Sequence, residues 1–214
     1  MTERLVLYGA GALASEIADV LIRLRSAGAD VELLGVFVDP NYEAPETFCG
    51  RPVFRDIGTL AGDDSVRFVV ALGDPQARAR AVSRLDAALG ARFASVVDPA
   101  VLIGTSSSVG EGSVILGHAS ITTNSRLGRH VLVNPGCTIA HDNQIEDFAT
   151  LSPGVHLAGH VVVEEGAFLG TGACVIPQIR IGVRAFVGAG SIVIRNVAPG
   201  HTVLGNPARI LRRG

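Results

Sequence analysis

The sequence predicts an α/β unit over residues 1–96, a left-handed parallel β-helix over residues 97–202 and a short cap over residues 203–214. Three observations predict this fold class. From residue 103 to residue 193 every sixth residue is Val, Ile or Leu. The first part of the chain instead alternates strand patterns with helical patterns. The composition combines 26 glycines with only 5% aromatic residues, which suits many tight turns around a narrow interior.

The six-residue repeat predicts the shape of the second part. In a triangular solenoid each hexad forms one short strand and one turn, and three hexads complete a coil. Residues 18 apart then stack on successive rungs, about 4.8 Å from each other. A heptad coiled coil would have a different period. The apolar series consists of Val97, Ile103, Val109, Ile115, Ile121, Leu127, Val133, Ile139, Ile145, Leu151, Leu157, Val163, Leu169, Val175, Ile181, Val187 and Val193.

The first part reads as a small parallel sheet with helices on its faces. Strands are predicted over residues 4–8, 31–38 and 67–72, and helices from residue 12 to about residue 27 and over residues 75–89. Ligands of such sheets bind at the carboxyl ends of the strands. Gly9, Gly11, Asp39 and Gly73 all fall there, so we expect a Rossmann-like domain that binds its ligand at this edge.

The turn after the first strand has the pattern Gly9-x-Gly11-x-x-Ala14, which fits the dinucleotide fingerprint. Its glycines would let backbone N–H groups approach a phosphate at a helix N-terminus. A tight turn that merely needs small residues explains the same pattern. A full NAD dehydrogenase is disfavoured, because a solenoid offers no obvious partner for hydride transfer.

His141 is the candidate catalytic residue on the β-helix. It lies two residues past the inward Ile139, so its side chain should face outward at a corner. Counting 18 residues forward places Gly159 one rung above it, and counting 18 back places Thr123 one rung below. A corner imidazole beside a glycine backbone offers a general base next to an N–H that could polarise a thioester carbonyl. Nearby carboxylates could orient the imidazole, and these are Asp142, Glu146 and Asp147.

A metal site built from His141, His156 and His160 is the competing interpretation. His160 stacks over Asp142 when residues are counted in steps of 18. Convergence of all three histidines is not expected, because His156 and His160 are separated by a short strand and a turn. We therefore expect no metal cofactor.

The remaining composition excludes several classes of partner. A net charge of −2 gives no reason to expect nucleic acid. No run of 18 apolar residues predicts a membrane span, and the first residues do not form a signal peptide. Three cysteines, without a paired spacing, are consistent with a reducing compartment. A cytoplasmic protein is expected.

The solenoid resembles that of the hexapeptide-repeat acyltransferases. With the first part included, the chain resembles the NeuD/PglD-like sugar O- and N-acetyltransferases, which include UDP-amino-sugar and GDP-perosamine N-acetyltransferases. The residues that carry this resemblance are Tyr8-Gly-Ala-Gly11, Asp39, Ala71-Leu-Gly73-Asp74 with Arg78, His141-Asp142, Pro153-Gly154, Ala158-Gly159, Gly188-Ala-Gly190-Ser191 and Gly205-Asn-Pro207-Ala208.

The resemblance implies an acetyltransferase in which His141 is the general base, Asp142 supports it, and acetyl-CoA lies between neighbouring subunits of a homotrimer. The positions that match coenzyme contacts are Thr150, Gly159, Thr171 and Ala189. The positions that match nucleotide-sugar contacts are Gly11, Ala12, Leu13, Asp39, Pro40 and Gly73. The chain departs from the usual family pattern at Ala12-Leu13-Ala14, Pro40, Asp98 and Thr150.

The leading expectation is transfer of an acetyl group to an amino group of a nucleotide-linked sugar. O-acetylation of a sugar hydroxyl, as in a sialic-acid-like or polysaccharide precursor, is the alternative within the same enzyme class. A non-catalytic solenoid that serves as a scaffold or binds carbohydrate is the alternative outside it.

Overall fold

The computed structural model describes residues 2–63 and 65–211. Within them an α/β unit is followed by a left-handed parallel β-helix, as the sequence predicts. Neither helix in these residues is long and apolar enough to span a membrane.

The α/β unit contains a five-stranded sheet in the order β3-β4-β2-β1-β5. The strands β1, β2, β4 and β5 are parallel to their neighbours, and only β3 pairs antiparallel, with β4. The sequence did not predict β3, β4 or the 3₁₀ helix, and the strand expected over residues 67–72 ends at Val70. The elements are β1 (Glu3–Tyr8), α1 (Ala12–Ser26), β2 (Val31–Phe37), β3 (Thr47–Phe48), β4 (Arg51–Phe54), the 3₁₀ helix (Ile57–Leu60), β5 (Val66–Val70) and α2 (Pro75–Leu89).

The bounds of α2 match the prediction because strong local signals mark both ends. Asp74 caps the N-terminus by accepting a hydrogen bond from the Ala77 N–H at 2.6 Å. Pro75 occupies the first turn, where its missing N–H costs nothing. Gly90 ends the helix in the left-handed conformation, with φ 57°.

The β-helix has three faces built from two-residue strands, and successive strands on one face pair 18 residues apart, as in Ser120 with Thr138. Face 1 contains β6 (Val96–Val97), β9 (Val114–Ile115), β12 (Leu132–Val133), β15 (Thr150–Leu151), β18 (Phe168–Leu169) and β21 (Phe186–Val187). Face 2 contains β7 (Leu102–Ile103), β10 (Ser120–Ile121), β13 (Thr138–Ile139), β16 (His156–Leu157), β19 (Cys174–Val175) and β22 (Ile192–Val193). Face 3 contains β8 (Ser108–Val109), β11 (Arg126–Leu127), β14 (Gln144–Ile145), β17 (Val162–Val163) and β20 (Arg180–Ile181).

Every member of the apolar series is the second residue of one of these strands and packs in or against the solenoid core. The corners between strands repeat as well. From Gly112 to Gly190 every corner has one residue with positive φ, which glycine, asparagine and aspartate accept most readily. Between faces 2 and 3 these residues are Asn124, Asp142, His160 and Gln178, with φ from 56° to 62°.

The chain after β22 continues face 1 with a hairpin of β23 (Thr202–Gly205) and β24 (Ala208–Ile210). The side chain of Val203 is buried with the solenoid core. The predicted cap therefore begins inside β23, and its last residues, 212–214, lie outside the described residues, as does Met1.

The α/β unit packs against the outward side of face 1. Val114 and Leu132 from that face are buried in one apolar cluster with α1 residues such as Ile17. Arg23 of α1 also forms an ion pair with Asp98, Nη2 to Oδ2 at 2.5 Å. The edge between faces 2 and 3 is consequently the edge of the prism opposite the α/β unit.

Candidate functional site

A cavity of about 510 Å³ opens at the carboxyl ends of β1, β2 and β5, where the sequence places a ligand site. Five of the six predicted nucleotide-sugar positions line it, namely Gly11, Ala12, Leu13, Asp39 and Gly73. Pro40 follows Asp39 in the chain but is not among the lining residues.

Two features make the floor of this cavity suited to a polar ligand. Gly9 has φ 111°, and a Cβ there would lie 3.1 Å from the Ala71 carbonyl oxygen, so a side chain would strain the turn. Gly11 then begins α1 without a side-chain cap, which leaves backbone N–H groups at the helix N-terminus directed toward the cavity.

The charged wall of the cavity centres on Asp39. The Tyr8 hydroxyl donates to both carboxylate oxygens of Asp39, at 2.9 and 2.8 Å, and Arg84 forms an ion pair with the same carboxylate. Burial, together with the hydrogen bond to Asp39, raises the pKa of Tyr8 to about 12. Tyr8 is thus a permanent donor. Arg80, one helical turn before Arg84, also lines the cavity and adds a second guanidinium.

The second site lies at the edge between faces 2 and 3. His141 follows β13 there with its side chain 55% exposed, and its ring lies against Gly159. A Cβ added to Gly159 would lie 2.6 Å from Cε1 and 2.7 Å from Nε2 of His141. The predicted stacking of these two residues is therefore confirmed, and only a glycine leaves room for the imidazole in this position.

Asp142 fixes the tautomer of His141. Its Oδ2 atom lies 2.7 Å from Nδ1 of the imidazole. The hydrogen bond from His141 is the main cause that lowers the pKa of the Asp142 carboxyl, so this group is an ionised acceptor. Nδ1 must then carry the ring proton, and Nε2 of the neutral imidazole keeps its lone pair. This is the arrangement that a general base requires.

The other predicted acids do not reach His141. Asp147 accepts from the Arg129 N–H at 2.8 Å and Glu146 accepts from the Glu165 N–H at 3.1 Å, both at the edge between faces 3 and 1. The three histidines considered as a metal site do not all come together. His160 joins His141 and Asp142, whereas His156 lies on face 2 with Nδ1 2.8 Å from the Thr138 hydroxyl.

The four positions predicted to contact the coenzyme lie in three places. Gly159 is at the His141 edge, and Thr171 and Ala189 follow β18 and β21, at the edge between faces 1 and 2. Thr150 is 2% exposed, and its hydroxyl donates to the Gly73 carbonyl and accepts from Arg78. The α/β unit covers that side chain, and a coenzyme contact at Thr150 stays a prediction.

Comparisons with known proteins agree with this fold. Residues 4–85 match the family model of the PglD N-terminal domain. A histidine-to-asparagine mutant of perosamine N-acetyltransferase from Caulobacter crescentus, in complex with CoA and GDP-perosamine, superposes with a TM-score of 0.87 at 29% identity, over 98% of this chain and 97% of that chain. The acetyltransferase domain of PglB from Neisseria gonorrhoeae FA1090 gives a TM-score of 0.87 at 28% identity, over 98% and 100%.

WeeI from Acinetobacter baumannii AYE gives a TM-score of 0.85 at 28% identity, over 97% of this chain and 99% of that chain. Among curated proteins, no sequence matches the chain. The superpositions span both parts of the chain together and include enzymes that transfer acetyl groups. Together, the family model and the superpositions support a PglD/NeuD-like sugar acetyltransferase.

Sequence reasoning missed two residues that line the acceptor cavity. Arg80 and Arg84 lie in a helix rich in Ala and Arg, where only the spacing of four residues suggested that both share one side. His160 was placed over Asp142 by counting 18 residues, but its closeness to His141 depends on two side chains leaning together. Their ring centroids are 5.2 Å apart.

Proposed function

We propose that the protein transfers the acetyl group of acetyl-CoA to an amino group of a nucleotide-linked sugar, with His141 as the general base. The observation that carries the proposal is the His141–Asp142 pair on Gly159, because the hydrogen bond from Nδ1 to Asp142 leaves Nε2 of the imidazole to act as the base on a rigid wall. Two similar proteins support it. Perosamine N-acetyltransferase has been solved in complex with CoA and GDP-perosamine, and the PglB acetyltransferase domain in complex with acetyl coenzyme A.

The chemistry needs few groups. Nε2 of His141 accepts a proton from the substrate amine as the amine nitrogen attacks the thioester carbonyl carbon. The carbon–sulfur bond then breaks, and the departing thiolate of CoA takes up a proton. The Gly159 N–H, which has no acceptor in the described part of the chain, is suited to polarise the carbonyl oxygen during the attack.

The acceptor cavity argues for a homotrimer. The α/β unit covers face 1, whereas His141 lies on the opposite edge of the prism. A sugar held in the cavity would therefore reach the imidazole of a neighbouring copy more easily than that of its own chain. We propose that three copies associate around the β-helix, so that each nucleotide sugar meets His141 of the partner subunit. The use of acetyl-CoA favours a cytoplasmic location.

An amine is proposed as the acceptor because the relative that is solved with its sugar nucleotide is an N-acetyltransferase. The cavity offers two guanidinium groups and a helix N-terminus to a diphosphate, and the Asp39–Tyr8 pair to hydroxyl groups. These groups bind the nucleotide part, so they leave the acylated atom free to face the solenoid.

Replacement of His141 tests the proposal. His141→Asn and His141→Ala should lower kcat by about 10²- to 10⁴-fold, because general-base catalysis contributes that much. Binding of acetyl-CoA, measured by calorimetry, should change little, since the imidazole acts on the amine. Release of CoA should be followed with a panel of nucleotide amino sugars and nucleotide sugars that carry only hydroxyl groups.

The matched control is His201→Asn, which replaces an exposed histidine on the chain that follows the last rung. This variant should turn over like the wild type. Full turnover by His141→Ala, or acetylation of the hydroxyl-only sugars at the rate of the amino sugars, would count against the mechanism or the acceptor, respectively.

A further inference from the structure

Three potential metal ligands meet at the edge that carries His141. One potential ligand atom from each of His141, Asp142 and His160 lies within 4.8 Å of the others. Oδ2 of Asp142 is 2.7 Å from Nδ1 of His141 and 3.7 Å from Nε2 of His160. We propose that these three side chains form a Zn²⁺ site, and that Zn²⁺ bound there inhibits the transferase.

The distances fit a small first-row ion after minor side-chain adjustment. Zn²⁺ binds imidazole nitrogen and carboxylate oxygen at about 2.0–2.2 Å, so ligand atoms in a tetrahedral site lie about 3.3 Å apart. The spacing of 3.7 Å already approaches that value, and the 2.7 Å hydrogen bond must open slightly. Both imidazoles are more than half exposed, with side-chain exposures of 55% and 56%, so their rings are free to turn.

The backbone holds the ligands on adjacent rungs. Asp142 and His160 occupy the same corner position on successive coils, both with φ 59°. The His160 N–H donates to the His141 carbonyl at 3.1 Å, and the Asp142 N–H donates to the Thr123 carbonyl at 3.0 Å. These ladder bonds fix the Cα positions of the three ligands. Three protein ligands leave the fourth tetrahedral position for water.

The donor set favours Zn²⁺ over the harder cations. Two imidazoles and one carboxylate suit Zn²⁺ and its transition-metal neighbours, whereas Mg²⁺ and Ca²⁺ prefer oxygen ligands. The partners of the Asp142 carboxylate among the described residues are His141, His160 and Asn124, and they include no arginine. The negative charge is therefore available to a cation.

We expect inhibition because bound Zn²⁺ changes which nitrogen of His141 can accept a proton. The free enzyme keeps the proton on Nδ1 and the lone pair on Nε2. If Zn²⁺ takes the lone pair of Nδ1, the ring proton must move to Nε2, and this atom can no longer accept a proton from the amine. If Zn²⁺ takes Nε2 directly, the base is also lost. The inhibition rests on the proposed function, but the binding of Zn²⁺ does not.

Direct binding tests the site without any substrate. The full-length protein should bind one Zn²⁺ per chain in a titration against a chromophoric chelator. His160→Asn should weaken this binding at least about tenfold, as loss of a ligand costs no less than loss of an outer-shell partner. Asparagine suits the corner, because Asn124 takes φ 56° at the equivalent position. His201→Asn is the matched control and should bind like the wild type.

Activity then tests the consequence. In chelator-treated samples His160→Asn should turn over like the wild type, and Zn²⁺ should inhibit it only at free concentrations raised by the same factor as the binding constant. Absence of stoichiometric Zn²⁺ binding, or equal binding by His160→Asn, would overturn the site. Equal inhibition of both proteins would overturn the inhibitory role. An inactive wild type free of Zn²⁺ would instead contradict the proposed function and leave the binding result intact.

Discussion

The imidazole of His130 joins the two parts of the chain as a flat apolar ring. It is 1% exposed, stacks on Phe148 with centroids 5.2 Å apart, and meets the edge of Phe93 at 4.7 Å. Neither ring nitrogen has a hydrogen-bond partner among residues 2–63 and 65–211. Burial is the main cause that lowers the pKa of His130 from 6.5 to about 4.

This site should make the protein less stable in mild acid. Below pH 6.5 His130 is protonated in the unfolded chain, whereas in the folded chain it stays neutral until the pH nears 4. The contribution of neutral His130 to the free energy of unfolding is therefore complete above pH 6.5. It falls by about 3 kcal/mol as the pH drops to 4.

His130→Phe removes the titrating group, and Phe148 takes φ 59° at the equivalent position of the next rung. Urea unfolding should show the wild type losing up to about 3 kcal/mol more than this variant between pH 6.5 and pH 4. Parallel pH profiles of the two proteins would contradict the role of His130.

Adjacent rungs of the β-helix also constrain the catalytic corner. The methyl group of Gly159→Ala would overlap the His141 ring, which has to swing away and break its hydrogen bond to Asp142. We expect kcat to fall by about ten- to a hundredfold, because a misplacement of about 1 Å can cost that much.

The unfolding free energy of Gly159→Ala should change by less than about 1 kcal/mol, because the displaced atoms end an exposed side chain that can move. Steady-state kinetics and urea unfolding on the same sample measure both quantities. An unchanged kcat would show that the imidazole does not need its place on Gly159.

The elements differ in how far the sequence predicts them. Period six identifies every solenoid strand, and steps of 18 place Gly159 at His141, because identical rungs make position a matter of counting. The short strands β3 and β4 have no alternating apolar pattern, and Pro52 interrupts β4. No local sequence pattern therefore predicts them. Thr150 shows the limit for sites, since the sequence does not say which outward residue the α/β unit covers.

The two parts of the chain are joined by one buried guanidinium. Arg78 lies on α2, is 2% exposed, and has a pKa lowered to about 10 by burial, so it stays charged at neutral pH. Within the α/β unit it donates to the carbonyls of Leu72 and Gly73, which line the acceptor cavity. Its acceptors on the β-helix are the carbonyls of His130, Phe148 and Ala149 and the hydroxyl of Thr150.

Arg78 should therefore hold the acceptor cavity in a fixed position relative to the solenoid. Arg78→Met keeps the aliphatic volume but leaves buried carbonyls without donors, which should cost about 3 kcal/mol or more of unfolding free energy. In the protein that still folds, the KM for the nucleotide sugar should rise at least about tenfold, since a buried charged hydrogen bond contributes about 1.5–3 kcal/mol. The KM for acetyl-CoA should stay the same, because Arg78 touches no part of the His141 edge.

Arg25→Met, at an exposed arginine in the last turn of α1, is the matched control and should change neither constant. Equal rises in both KM values would mean that Arg78 supports the whole fold, whereas a selective rise identifies it as the residue that positions the cavity.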